Sequence, residues 1–153
     1  RLSNLAGGVL ILLLKPFRVG DYIITAGAEG TVMSIDIFYT RIATTDNKVV
    51  VIPNGTISNS NVTNTTKQDE RMLVLEFTVS LDANIEEVKT EIMKLIESNE
   101  RILHEMNRCV VVDKLTPVNI KMQAKAWTKS EDYWDVKYLL LEQISIVLQG
   151  FRG

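Results

Sequence analysis

The chain has 153 residues, 46% hydrophobic and 24% charged, with 17 Lys and Arg against 19 Asp and Glu for a formal net charge of −2. That length and apolar content suit one ordinary domain or two small ones, and exclude a disordered tail, a collagen-like chain or a disulfide-stapled one, because Cys109 is the single cysteine. A lone cysteine fits a reducing compartment, and the slightly acidic balance is a poor match to a protein whose main task is gripping a phosphate backbone.

Residues 5–14 read LAGGVLILLL, with no charge until Lys15. At helical rise the run is about 15 Å long, whereas a spanning helix needs about 20 residues to cross about 30 Å of hydrocarbon, so it does not cross a bilayer by itself. The chain opens on Arg1 and runs straight into Lys15-Pro16-Phe17-Arg18, which is not the layout of a secretory signal; the missing initiator Met predicts residues upstream of Arg1. Residues 9–14 are apolar without period, and leaving them in water forfeits about 1.5–3 kcal/mol per side chain. The run therefore predicts apolar partners on more than one side, whether lipid, a subunit or a second domain. Pro16 biases Lys15 away from helix and ends the segment, placing Lys15 and Arg18 where positive charge suits a helix C-terminus or anionic head groups.

From Asp21 the period becomes that of strands. A strand over 21–25 leads to a turn at Gly27-Ala28-Glu29-Gly30, where the glycines allow positive φ. Residues 31–37 and 38–45 are β-branched and aromatic, Asp46-Asn47 predicts a tight hairpin, and 48–52 forms the next strand, closed by Pro53-Asn54-Gly55. The polar stretch 58–66 has room for one edge strand around Val62. Six of the eight glycines lie at or before Gly55, and Thr65-Thr66-Lys67-Gln68-Asp69-Glu70 reads as a linker. Beyond it, residues 72–81 alternate as a strand. Asn84 with Glu87 makes a capping-box pattern ahead of the helical stripe Ile85, Val88, Ile92, Leu95 and Ile96, with a solvated charged face opposite. Val110-Val111-Val112 is a second strand, Val118 to Ala126 a third after Pro117, and Ser130 starts a last helix carrying Trp134, Val136, Leu140, Ile144 and Val147. The order β-α-β-β-α lacks one strand of a ferredoxin-like domain.

Chemical motifs are sparse. His104 and Cys109 are the single residues of their types, and neither spacing nor partners suit a zinc site; a buried structural cysteine beside a surface histidine is favoured over a nucleophile pair. The Gly27–Gly30 stretch lacks the Lys-Ser/Thr ending of a phosphate loop. Asn54, Asn61 and Asn64 begin Asn-x-Ser/Thr matches, which an Asn/Thr-rich tract produces by chance. Tyr22, Phe38 and Tyr39 are placed to stack bases on a small barrel, but no basic stripe accompanies them. No cofactor, metal or enzymatic constellation is expected.

The run Ser3-Asn4-Leu5-Ala6-Gly7-Gly8, the block Lys15-Pro16-Phe17-Arg18-Val19-Gly20-Asp21, then Gly30-x-Val32, Thr44-x-Asp46 and Val51-Ile52-Pro53-Asn54, resemble the small-conductance mechanosensitive channel family. The combination at this separation is specific, although each piece alone is weak. The resemblance implies an α+β fold: residues 1–17 as the second half of the pore helix, lying along the membrane face; 18–66 as a small five-stranded Sm-like β-barrel; and 67–153 as the ferredoxin-like α/β domain. It implies a homoheptamer in the bacterial inner membrane with residues 18–153 on the cytoplasmic side, lipid at residues 2–18, and tension-driven release of ions and small osmolytes on hypo-osmotic shock. Asn4, Gly7 and Gly8 match the gating and kink positions. Lys15, Pro16, Phe17, Arg18, Gly20 and Asp21 match the helix-to-barrel corner, and Gly30, Val32, Asp46, Pro53 and Asn54 the barrel motif. The family's two outer helices and pore-lining half-helix have no counterpart in these residues, so this stretch by itself is not expected to conduct; nor does the family's continuation after residues 150–153 appear. The alternative is an Sm-like nucleic-acid-binding module, with no nucleic acid expected on the favoured reading.

Overall fold

The computed structural model describes residues 1–151; Arg152 and Gly153, the end of the expected α/β domain, lie outside the described residues. The chain forms two compact units, Arg1–Gln68 and the remainder from Asp69.

The first unit opens with helix α1, Leu2–Leu14, which runs unbroken through Gly7 and Gly8. It ends at Lys15 as Pro16 requires, but Lys15 turns left-handed (φ 49, ψ 56) instead of extended. In that conformation its N–H still donates to Ile11 O at 2.9 Å, and the chain turns sharply enough to drive Phe17 into the core, where it is 1% exposed. Strands β1 (Tyr22–Thr25), β2 (Ala28–Ile35), β3 (Tyr39–Ala43), β4 (Val49–Pro53) and β5 (Thr63–Asn64) form one antiparallel sheet in the order β4-β3-β2-β1-β5. Each strand turns alternate residues inward, and Ile23, Val32, Ile42 and Ile52 meet Ile11, Phe17 and Ile57 in a common core.

Several boundaries differ from expectation. The β1–β2 turn is Ala26-Gly27, both at positive φ (51 and 74), a two-residue hairpin of the primed type that matches strand twist. Gly30 therefore sits inside β2. The β3–β4 connection is wider than a two-residue hairpin: the ladder ends at Ala43–Val49, and Thr44 N–H bonds to Lys48 O at 2.8 Å across the loop, with Asn47 at φ 64. Pro53-Asn54-Gly55 does close β4, but the chain then enters a short helix α2, Asn54–Ser58, which the sequence reading did not contain. The five expected strands are present, yet among the described residues β4 and β5 are not paired with each other. The sheet is open, and no closed barrel forms, because β5 offers two residues and both pair with β1.

In the second unit, β6 (Glu70–Val79), β7 (Cys109–Leu115) and β8 (Ile120–Lys129) make a sheet in the order β6-β8-β7. Strand β8 is antiparallel to both neighbours, so β6 and β7 run parallel, linked by helix α3 (Ile85–Ser98): a split β-α-β unit. Asn84 caps α3 by accepting from Glu87 N–H at 3.2 Å. A 3-10 turn at Ser130–Asp132 leads into helix α4, Tyr133–Gln149. The core joins Leu73, Leu75 and Phe77 of β6 to Val88, Ile92 and Ile96 of α3 and to Val136, Leu140 and Ile144 of α4.

Ile92 is 0% exposed, whereas Glu86 lies on the solvated side of the same helix. Ile92→Ala is expected to cost about 2–5 kcal/mol in urea unfolding, and Glu86→Ala less than about 0.5 kcal/mol. Equal losses from the two changes would contradict this assignment of the faces of α3.

Candidate functional site

Asn4, Gly7, Gly8 and Ile11 follow one another at i, i+3, i+4 and i+7 along α1, so they share one face. That face lies against α2 and the β2–β3 turn. A Cβ on Gly7 would stand 2.5 Å from Asn54 O and 2.9 Å from Gly55 N. On Gly8 it would overlap the Ile37 carbonyl oxygen and come 2.7 Å from the carbonyl carbon. From the other side, a Cβ on Gly55 would meet Asn4 Oδ1 at 2.7 Å. Gly7 and Gly8 are needed for close approach of backbone to backbone, and Gly55 makes room for the Asn4 side chain, a requirement distinct from the backbone freedom that a kink would use.

Polar groups exposed by this approach are paired. Asn4 Oδ1 accepts the Gly55 N–H at 2.9 Å, so a side chain from α1 satisfies a free amide in the first turn of α2. Asn54 is 0% exposed; its Nδ2 donates to Asp36 O (2.8 Å) and Ile37 O (3.1 Å), its Oδ1 accepts from the Thr40 hydroxyl (2.7 Å), and its N–H donates to Phe38 O (2.9 Å). Thr40 is also 0% exposed. A buried amide left without such partners costs about 1–3 kcal/mol, so this network holds the β2–β3 turn and the start of α2 in one arrangement. Arg41 pairs with Asp36 at the surface edge of that turn.

The helix-to-sheet corner is a second cluster. Phe17 is its apolar anchor, and Gly20 adopts φ 96 while its N–H donates to Val32 O at 2.8 Å. Asp21 Oδ2 accepts from Arg18 N–H (3.0 Å) and from Asn64 Nδ2 (2.9 Å); the same Nδ2 reaches Pro16 O at 3.2 Å. Partial burial pushes the Asp21 carboxyl up, but hydrogen bonds from Asn64, the Arg18 backbone and Thr66, with the Arg18 charge, outweigh it and hold the group below its ordinary value.

The remaining sequence-selected residues fall elsewhere. Val32 is a core residue, and Gly30 faces Ala43 so closely that a Cβ would overlap Ala43 O. Asp46 lies in the nearby β3–β4 loop, where it accepts from the Thr44 hydroxyl at 2.6 Å and pairs with Lys48 at 3.0 Å. These sit at the Ala43 end of the β2–β3 pair, whereas Pro53 and Asn54 sit at its Tyr39 end. Gly55, Thr40, Ile37 and Asn64 were not among the site residues selected from the sequence. The small-residue stripe Asn4-Gly7-Gly8 at helical spacing was the legible signal for a close partner.

The outward face of α1 is apolar: Leu2, Leu13 and Leu14 are 81%, 73% and 74% exposed, with Val9, Leu10 and Leu12 also exposed. Among the described residues, no helix is long and apolar enough to cross a membrane, and no group of three or more His, Cys, Asp or Glu could hold a metal. In the second unit His104 Nε2 lies 3.0 Å from Asn99 O, and Arg108 grips Glu97 at 2.6 and 3.1 Å, holding that carboxyl below its ordinary value; Cys109 is half-buried. This is a clasp on the connection between α3 and β7. The candidate site is thus the seating of helix α1 on α2 and the β2–β3 turn, made largely through backbone contact.

A family model described as the beta-domain of mechanosensitive ion channels matches residues 1–67, and one for the C-terminal part of the mechanosensitive ion channel MscS matches residues 73–149. A small-conductance mechanosensitive channel of Edwardsiella ictaluri is 34% identical over 149 residues, covering 97% of this chain and 52% of that protein. An uncharacterised MscS family protein of Synechocystis is 36% identical over 143 residues, 94% of this chain and 48% of that one. The chain therefore spans about half the length of these curated relatives. The crystal structure of Helicobacter pylori MscS in a closed state superposes with a TM-score of 0.88 at 29% identity, covering 99% of this chain and 60% of that one.

Gly8→Ala forces α1 away from Ile37 and is expected to cost about 1–3 kcal/mol by denaturant unfolding of the first unit; a loss below about 0.5 kcal/mol would contradict the contact. Because the Asp21 carboxyl is lowered in the folded state, its stabilisation is present above the unfolded value and lost as pH falls through and below the ordinary carboxylate range. The gap in thermal midpoint between wild type and Asp21→Asn should therefore begin to narrow as pH falls below about 5 and continue narrowing below the ordinary carboxylate range. A constant gap would remove Asp21 from the corner's acid sensitivity.

Proposed function

The chain belongs to the mechanosensitive ion channel family, and from that premise we propose that it is the gating-transmission and vestibule-wall part of a tension-gated channel subunit. On this reading residues 1–17 lie along the cytoplasmic face of a bacterial inner membrane with lipid against residues 2–18, residues 18–66 form the β-domain, and residues 67–153 form the α/β domain of the wall. Seven copies surround a path for ions and small osmolytes released on hypo-osmotic shock. No reaction is catalysed.

The observation that carries this reading is the two-sided character of α1. Its inner face is fitted to the β-domain through Gly7, Gly8 and the Asn4–Gly55 hydrogen bond, and its outer face is a continuous apolar surface. Such a helix couples an apolar phase on one side to a folded domain on the other. The bistable element is the seating of α1 on that domain, hinged at the corner from Lys15 to Asp21. Tension acts by favouring whichever seating accompanies the larger in-plane area. The contact is small enough to be biased by such a load: removing one hydrogen bond of ordinary worth, about 1 kcal/mol, changes a two-state ratio about fivefold.

The test is patch-clamp recording of the full-length channel under pressure steps. Asn4→Ala weakens the seated state and should change, by about fivefold in the ratio of the two states, the recovery of the channels between pressure pulses. Gly8→Ala should alter closure in the same recordings. Traces indistinguishable from wild type for both variants would sink the proposed role of this contact.

A further inference from the structure

We propose that Asn54-Gly55 is a latent deamidation site that the seated α1 keeps closed, so that its conversion to aspartate or isoaspartate marks molecules in which α1 has left the β-domain. An asparagine followed by glycine is prone to this chemistry because no Cβ shields the following amide. The Gly55 backbone nitrogen loses its proton to a solvent base and bonds to Asn54 Cγ. The Cγ–Nδ2 bond breaks, and Nδ2 leaves as ammonia with a proton from solvent. Water then opens the five-membered imide at either carbonyl, giving aspartate or isoaspartate. Nothing is oxidised or reduced, and water is the one co-reactant.

Each requirement of the reaction is blocked in the seated state. The nucleophile is occupied, since Gly55 N–H donates to Asn4 Oδ1 at 2.9 Å, and the Ser3 backbone lies close over Gly55. The electrophile is pinned: Cγ cannot swing toward Gly55 N without breaking the bonds of Nδ2 to Asp36 O and Ile37 O and of Oδ1 to the Thr40 hydroxyl. Solvent is excluded, because Asn54 is 0% exposed and Gly55 is buried. Departure of α1 removes the Asn4 acceptor and the cover over Gly55 together, and takes Gly8 off Asn54 Nδ2 and Ile37 so that water can compete for the bonds that pin Cγ; local opening therefore sets the rate.

The product does not fit the site it came from. Aspartate at position 54 places an acceptor oxygen where Nδ2 donated, leaving Asp36 O and Ile37 O without a donor and facing a negative charge. Isoaspartate also lengthens the backbone at the first turn of α2. Either product opposes reseating, which makes the event one-way. The inference rests on the α1–α2 contact and not on the channel reading, so either can fail alone.

The experiment follows deamidation in the purified protein and in a synthetic peptide of residues 49–67 at mildly alkaline pH, by peptide mapping with mass spectrometry that separates isoaspartate. Asn54 is expected to be the fastest-reacting asparagine of the peptide and the slowest of that stretch in the folded protein. Asn4→Ala should accelerate Asn54 about fivefold without changing Asn99 in the second unit. Asn4→Asp keeps an acceptor at the same place and should stay within about twofold of wild type. The proposal is overturned if Asn54 reacts as fast in the folded protein as in the peptide, if Asn4→Ala leaves its rate unchanged, or if Asn54 and Asn99 accelerate alike, which would report general unfolding.

Discussion

Everything in the first unit depends on how closely α1 approaches the polypeptide at Asn54-Gly55 and Ile37. Helices ordinarily pack 8–10 Å apart with side chains between them; here Gly7, Gly8 and Gly55 remove the side chains, and a Cβ on any of them would fall inside the 3.0 Å limit that real contacts respect. Contact at that range exposes backbone groups to each other, so it persists when the polar atoms are matched. Asn4 supplies the acceptor for Gly55, and Asn54 fills the gap behind Gly8 with donors aimed at two carbonyls. The fit is steric and polar at once, which is why it tolerates so little variation.

The rest of the unit holds that contact in register. Ile11 carries the inner face of α1 into the core with Ile57 of α2, so the helix is anchored one turn beyond the glycines. At its C-terminus the left-handed Lys15 and buried Phe17 turn the chain into the sheet, and Asn64 ties β5 to the corner through Pro16 O and Asp21. The helix is thus held near both ends to one domain, with leucines outward, by two attachments that differ in kind. One is a dry glycine contact and the other a polar, acid-sensitive corner.

Much of this was legible in the sequence, and what was missed has physical causes. Strand alternation from Tyr22 onward, the Asn84 cap and the β-α-β-β-α order follow from period and composition, which short-range physics enforces. The family blocks from Asn4 to Asn54 include the residues of the α1 contact, Asn4, Gly7, Gly8 and Asn54. Helix α2 was missed because Asn54–Ser58 is short and polar, and its first turn is satisfied by Asn4, fifty-one positions away in sequence. The run after Gly8 looked featureless because its leucines face outward, and its inner stripe is made of small residues that hydrophobic patterning does not count. Gly30 drew a turn assignment from its residue type alone, whereas its role is to let Ala43 pass. Barrel closure is a long-range property of strand ends, and β5 is too short to provide it among the described residues.

Native-state hydrogen exchange at the Gly55 amide tests the central claim most directly, because that proton lies in the hydrogen bond by which Asn4 of α1 holds α2. The account predicts a slowly exchanging Gly55 amide in the wild-type protein, with protection lost in Gly8→Ala while the Ile42 amide in β3 keeps its own. A Gly55 amide that exchanges freely in the wild type, or stays protected in Gly8→Ala, would contradict it.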